Sequence, residues 1–155
     1  MFSFFKKKQP EQTTIAEHVS APTFDYTAQI PQGWELLIDG ENPTPILSYS
    51  QIRSAMQQLE EWSFLVVQKT GDSSVSAQAL SIGQNFYRAE VLVDEEPLAY
   101  GIPLKKGAKH GHGETGIDDA ALVLCTFIRD DGAVPQFPHL VASRADTSSY
   151  SFGGW

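Results

Sequence analysis

The sequence predicts an α+β fold: an antiparallel sheet of about five strands with two main helices packed on one face, a two-layer sandwich. Two segments carry helical periodicity. Ile52, Ala55, Met56 and Leu59 share one face, as do Ile117, Ala120, Ala121, Leu124 and Ile128, with Cys125 and Phe127 at the margin. Between them lie β-rich runs over residues 62–69, 77–82 and 86–93, separated by short turns, so neighbours should pair antiparallel. At 155 residues and 41% apolar, the chain suits one domain with a self-sufficient core.

Taken in order, residues 1–23 are polar, with scattered Pro and Ala, and read as an irregular lead-in with a short helix around Ile15 to His18. His18 stands alone and receives no role. The domain covers residues 24–143. Trp34-Glu35-Leu36-Leu37-Ile38, after Gly33 and before Asp39-Gly40, is a first strand with a turn behind it. Residues 41–45 read as a loop, because Pro43 and Pro45 remove backbone donors. Ser48-x-x-Gln51 is a capping box, and the first helix is expected over 49–61. Gly71-Asp72-Ser73-Ser74 supplies a turn, and Gly83-Gln84-Asn85 a hairpin connection.

In the strand over 86–93, Tyr87, Ala89, Val91 and Val93 form a uniformly apolar or small face and should point inward. Phe86, Arg88, Glu90 and Leu92 take the other face. Asp94-Glu95-Glu96-Pro97 is a charged turn, and residues 98–104 form a further strand weakened by Gly101 and Pro103. After a loop over 105–116, Thr115 is placed to cap the second helix, with Asp118 and Asp119 complementing its positive end. Asp130-Asp131-Gly132 stops that helix. A short strand over 139–143 follows, and residues 144–155 read as a tail with Tyr150, Phe152 and Trp155 available for docking.

Eleven basic against nineteen acidic side chains give a net charge of −8. That argues against direct nucleic-acid binding and against attraction to an anionic membrane, both of which rest on positive charge. One cysteine, Cys125, excludes an intramolecular disulfide and fits a reducing cytoplasm. The opening MFSFFKKK places its apolar residues before its lysines, the reverse of a secretory signal, and no stretch approaches the ~20 apolar residues of a membrane span.

The segment from Gly101 to Asp131 holds the features most like an active site. In an extended chain His110, His112 and Glu114 point to one side and form a zinc-like ligand set, with His139 as a conceivable fourth. Three ligands in five residues, interleaved with glycine, are costly to order, and no cofactor is assigned on this basis. Gly107, Gly111, Gly113 and Gly116 lead into a helix N-terminus, yet their spacing fits no phosphate loop, and Glu114, Asp118 and Asp119 would repel phosphate. Cys125 lies inside a helix and reads as an inert core thiol. Adjacent carboxylates recur at Glu60-Glu61, Asp94-Glu95-Glu96, Asp118-Asp119 and Asp130-Asp131. On short connections these make an acidic surface that would attract a basic partner.

A helix ending QQLEE, the strand WSFLVVQK, a meander through ALSIGQNFYRAEVLV, and the helix IDDAALVLCTFIRDDG before a Pro-interrupted return strand together resemble small cytosolic immunity proteins of bacterial polymorphic and contact-dependent toxin systems. The likeness covers roughly residues 34–143 and is one of element order. The return strand departs from the commonest pattern by ending Val141-Ala142-Ser143 without an aromatic. The resemblance implies a non-enzymatic, cytoplasmic protein that neutralises a cognate toxin by stoichiometric binding. The expected toxin is basic, a nuclease or deaminase. The contact residues expected are Asp94, Glu95, Glu96, Asp130, Asp131, Glu60 and Glu61, with Tyr100 as an aromatic anchor. Trp62, the other aromatic beside the acids, reads as core. The alternatives are a metal-binding module or metal-dependent enzyme using His110, His112 and Glu114, or an accessory protein with neither role.

Overall fold

Alternation of small and branched apolar residues builds the sheet, and the helices settle where the side chains are smallest. The computed structural model describes residues 22–101 and 113–144. Its elements in chain order are β1 (Trp34–Ile38), β2 (Glu41–Pro45), α1 (Tyr49–Gln57), β3 (Phe64–Lys69), β4 (Asp72–Gly83), β5 (Phe86–Val93), β6 (Glu96–Gly101), β7 (Thr115–Gly116), α2 (Ile117–Arg129) and β8 (Val141–Arg144). All strands join one antiparallel sheet of eight, ordered β2-β1-β3-β4-β5-β6-β8, with β7 beside β5.

The expected count of about five strands is therefore too small, although the chain remains a mixture of one sheet and two main helices. The two strands without an expected counterpart, β2 and β7, have clear physical explanations. β2 carries Pro43 and Pro45 and reads as a loop, but it lies at the sheet edge with every residue exposed. Proline is excluded from central ladders, not from an edge whose outer side bonds nothing. There the Thr44 hydroxyl donates to Leu36 O at 3.2 Å. β7 comprises only Thr115 and Gly116, paired with Tyr87 and Phe86. Thr115 is thus a strand residue, and Gly116 takes the N-cap of α2 without a side-chain bond.

α1 begins at its expected cap, with Ser48 Oγ accepting the Gln51 N–H at 3.2 Å, while Gln51 Oε1 reaches one residue past the N-cap to accept the Leu47 N–H at 2.8 Å. It ends at Gln57, short of the expected 61, as the Gln58 and Leu59 amides tighten onto Ala55 O and Met56 O. β4 starts at Asp72, so most of the expected turn over 71–74 is already strand.

The main core lies between the helices and one sheet face. Leu36, Leu65, Val67, Ala77, Ala79, Ala89, Val91 and Tyr100 meet Tyr49, Ile52 and Met56 of α1 and the buried run of α2. Ala79 pairs with Ala89 and Ala77 with Val91 in the middle of the sheet. Methyl side chains there let α2 approach closely. Every residue of α2 from Ala120 to Ile128 is buried, which accounts for its almost continuous apolar sequence.

The opposite face departs from expectation. Arg88 and Glu90, assigned outward from the alternation, are both buried, together with Ser76 and Gln78. Gly113 closes onto this side: a Cβ there would stand 3.0 Å from Arg88 Nη1 and 3.5 Å from Ala99 Cβ. No described helix is long and apolar enough to cross a membrane.

Candidate functional site

The sheet has two ends, and the predicted acidic residues divide between them. β4 runs 12 residues from one to the other. The Asp94 loop lies three residues past the Val91–Ala77 pair and the other turn bonds Ser81, so at about 3.3 Å per residue the two acidic turns stand roughly 25 Å apart along β4.

At the first end, Val93 pairs with Glu96, and Asp94 and Glu95 form the two-residue loop with φ of 52° and 67°. Two left-handed central residues are the geometry that suits a twisted hairpin. The loop therefore presents Asp94, Glu95 and Glu96 rigidly, and all three are exposed. Asp130 and Asp131 share this end but are engaged by the chain's own cations. Arg129 Nε lies 3.0 Å from Asp130 Oδ1, and Lys69 Nζ lies 2.8 Å from Asp131 Oδ1. Those cations are in turn held over rings, Arg129 over Phe24 at 5.6 Å and Lys69 over Trp34 at 5.9 Å. Tyr100 is not an anchor here. It is 1% exposed, donates its hydroxyl to Pro135 O at 2.6 Å, and packs edge-on against Phe137. Burial pushes its hydroxyl far above the ordinary tyrosine value.

At the other end, Glu60, Glu61 and Trp62 make a turn between α1 and β3. Ser63 N–H closes it onto Glu60 O at 2.9 Å, and Trp62 N–H donates to Ser81 O at 2.7 Å. Trp62 has φ of 72° and is 58% exposed, so the residue read as core is a surface tryptophan. Glu61 lies across Gly83, where an added Cβ would meet its Cδ at 3.0 Å. Gly83 is the partner of Phe86, itself 48% exposed. On the helix side of this turn opens a groove of about 470 Å³ lined by Ile38, Asp39, Ala55, Gln58, Leu59, Glu60 and Ser63. Asp39 is fixed there by accepting the Phe64 N–H at 3.0 Å and the Ser63 hydroxyl at 3.2 Å.

The reactive side chains are withdrawn. Cys125 is wholly buried, and burial pushes its thiol up to about 12. His139 sits 2.8 Å from Asp119 Oδ1 through Nε2 and edge-on to Phe137, and its ring is buried. Asp118 is bound by Arg53 at 2.6 Å. Of the proposed metal loop, Glu114 is described and half-buried, whereas His110 and His112 lie outside the described residues. Among the described residues no three of His, Cys, Asp and Glu come together as a metal site.

Sequence reasoning also missed a buried polar cluster. Arg88 Nε meets Glu90 Oε2 at 2.9 Å, and Gln78 is the cross-strand partner of Glu90. Burial raises the Glu90 carboxyl, opposed by Arg88 and by the Gln78 amide. The available signal was Gln78, Arg88 and Glu90 standing close together within two adjacent strands otherwise built of small and apolar residues around them, Ala77, Ala79, Leu80, Ala89 and Val91. The exposure of Trp62 had a signal too, since it directly follows two glutamates and stands two residues before β3 begins. No family model, curated protein or solved structure matches this chain.

Proposed function

We infer that this protein acts by binding, as an immunity-type inhibitor that occupies a basic toxin domain, of nuclease or deaminase class, in one-to-one stoichiometry inside the producing cell. One observation carries the reading: Trp62 is held out in solvent by a fixed turn, with Glu60 and Glu61 beside it. Protein interfaces draw most of their affinity from a few aromatic or arginine side chains ringed by polar groups, and a tryptophan on an acidic turn has that composition. The backbone bonds to Ser81 set a left-handed φ here, which is unfavourable by about 1–2 kcal/mol on a bulky residue, so tryptophan is not the residue that folding alone favours at this position. The exposed Asp94-Glu95-Glu96 loop at the far end adds long-range attraction for a basic partner.

The test is coexpression with the C-terminal domain of the large secreted protein that this reading expects directly upstream of the gene, followed by calorimetry of the purified pair. Restored growth and a saturable one-to-one complex are expected. Continued toxicity at full expression, with no heat of binding, would overturn the reading.

A further inference from the structure

Beside the Trp62 turn, the groove of about 470 Å³ combines two kinds of wall. Ile38, Ala55 and Leu59 provide apolar surface, and Ile38 is already 37% exposed. Asp39 and Glu60 supply carboxylates, Gln58 an amide, and among the described residues no basic side chain lines the groove. Glu60 has no ion pair among the described residues, and Arg53, the basic residue of α1, is engaged with Asp118 at 2.6 Å. Asp39 is rigid because both of its oxygens already accept bonds from the β3 start, and each retains a lone pair.

A long stem with a cationic head matches this arrangement. Lysine and arginine lay their methylenes along apolar surface while keeping the head at the polar margin. Two carboxylates at one margin favour the planar, multi-donor guanidinium over a point charge. We propose that this groove receives an arginine side chain of the protein partner, its stem against Ile38, Ala55 and Leu59 and its guanidinium between Asp39 and Glu60. The neighbouring Trp62 and Glu61 then cover the surface around that arginine. The proposal rests on the binding function inferred above and names the chemistry the partner must present.

The experiment needs no partner. The full-length ¹⁵N-labelled chain is titrated with a blocked Ala-Arg-Ala peptide, and separately with the same peptide carrying citrulline, which keeps the shape and removes the charge. Saturable shifts confined to Ile38, Asp39, Ala55, Leu59, Glu60 and Ser63 are expected. The arginine peptide should bind about fivefold tighter, near the upper limit for one exposed charge pair. Glu60→Gln, at an exposed position, should bring the two peptides together, and Asp39→Asn, which keeps the acceptor for Phe64, should act in the same direction. Equal binding of both peptides, shifts centred on the Asp94 loop, or no saturable shift would overturn the groove assignment. A toxin complex that persists despite any of those results would leave the binding function standing and remove only the arginine site. An arginine-selective groove in a protein that fails to bind the toxin would do the reverse.

Discussion

The Trp62 N–H donates to Ser81 O at 2.7 Å, and the Ser81 N–H returns to Ser63 O at 2.9 Å. Trp62 and Ser63 thus both face Ser81, a β-bulge just before β3 whose first residue takes the left-handed region, here Trp62 at φ 72°. The ring is therefore displayed by backbone bonds, not by packing.

Trp62→Gly separates display from stability. Glycine adopts the left-handed conformation freely, so the fold should be unchanged or up to about 1 kcal/mol more stable by urea unfolding. Affinity for the toxin partner should fall by about 2 kcal/mol or more, roughly 30-fold, in calorimetry. Equal loss of stability and affinity would show that Trp62 serves the fold instead.

The hairpin loop at the far end should govern rate more than residence. Simultaneous Asp94→Lys, Glu95→Lys and Glu96→Lys should slow association by roughly tenfold at low salt and flatten its salt dependence, with dissociation little changed. Stopped-flow mixing over a range of ionic strengths reads both. Binding that stays identical at every salt concentration would exonerate the loop.

Tyr100 belongs to the core through its bond to Pro135 O. Tyr100→Phe should destabilise the fold by about 1–2 kcal/mol, because the buried carbonyl loses its donor. Partner affinity, corrected for folding, should not change.

Glu90 should make its contribution to the pH dependence of stability run against that of an ordinary surface carboxylate. Its folded value is raised by burial above the unfolded 4.5. Between those two values the folded state holds a proton that the unfolded state has released, so stability from this group falls as pH rises through the window. The difference in stability between the native chain and Glu90→Gln should therefore move against the native chain as pH increases from about 4.5 upward. A pH series of urea midpoints measures it. A flat difference would place Glu90 in solvent, and one moving in the other direction would show that the Arg88 pair outweighs burial at this carboxyl.

Cys125 should be silent to thiol reagents. With burial pushing the thiol up to about 12, the folded chain should release almost no chromophore from an aromatic disulfide reagent at pH 8, and one equivalent after unfolding.

Local chemistry made much of this fold readable. The capping box at Ser48 and Gln51, the periodic faces of both helices, and the hairpin turns at Gln84-Asn85 and Asp94-Glu95 all depend on neighbours within a few residues. The elements missed depend on position in the sheet. Pro43 and Pro45 reveal a strand only once β2 is known to be an edge, and Thr115 becomes a strand residue only because Tyr87 lies beside it. The candidate site was legible as composition and not as geometry. The acidic pairs were visible, but their division between opposite ends follows from strand order.

Tyr100 and Trp62 show the boundary most sharply. The sequence by itself determined that two amphipathic helices would cover the small-residue face of a meander, because hydrophobic period and alanine size act along the chain. It also determined an excess of negative charge with a single thiol. Only the tertiary structure decided that Tyr100 would be buried and Trp62 displayed, and that Arg88, Glu90 and Gln78 would be drawn inside. Those outcomes come from contacts between residues distant in the chain: the Pro135 carbonyl over Tyr100, the Ser81 carbonyl beneath Trp62, and the backbone of Gly113 against Arg88. Burial is set by what comes to lie above a residue, and no pattern within a single strand records that.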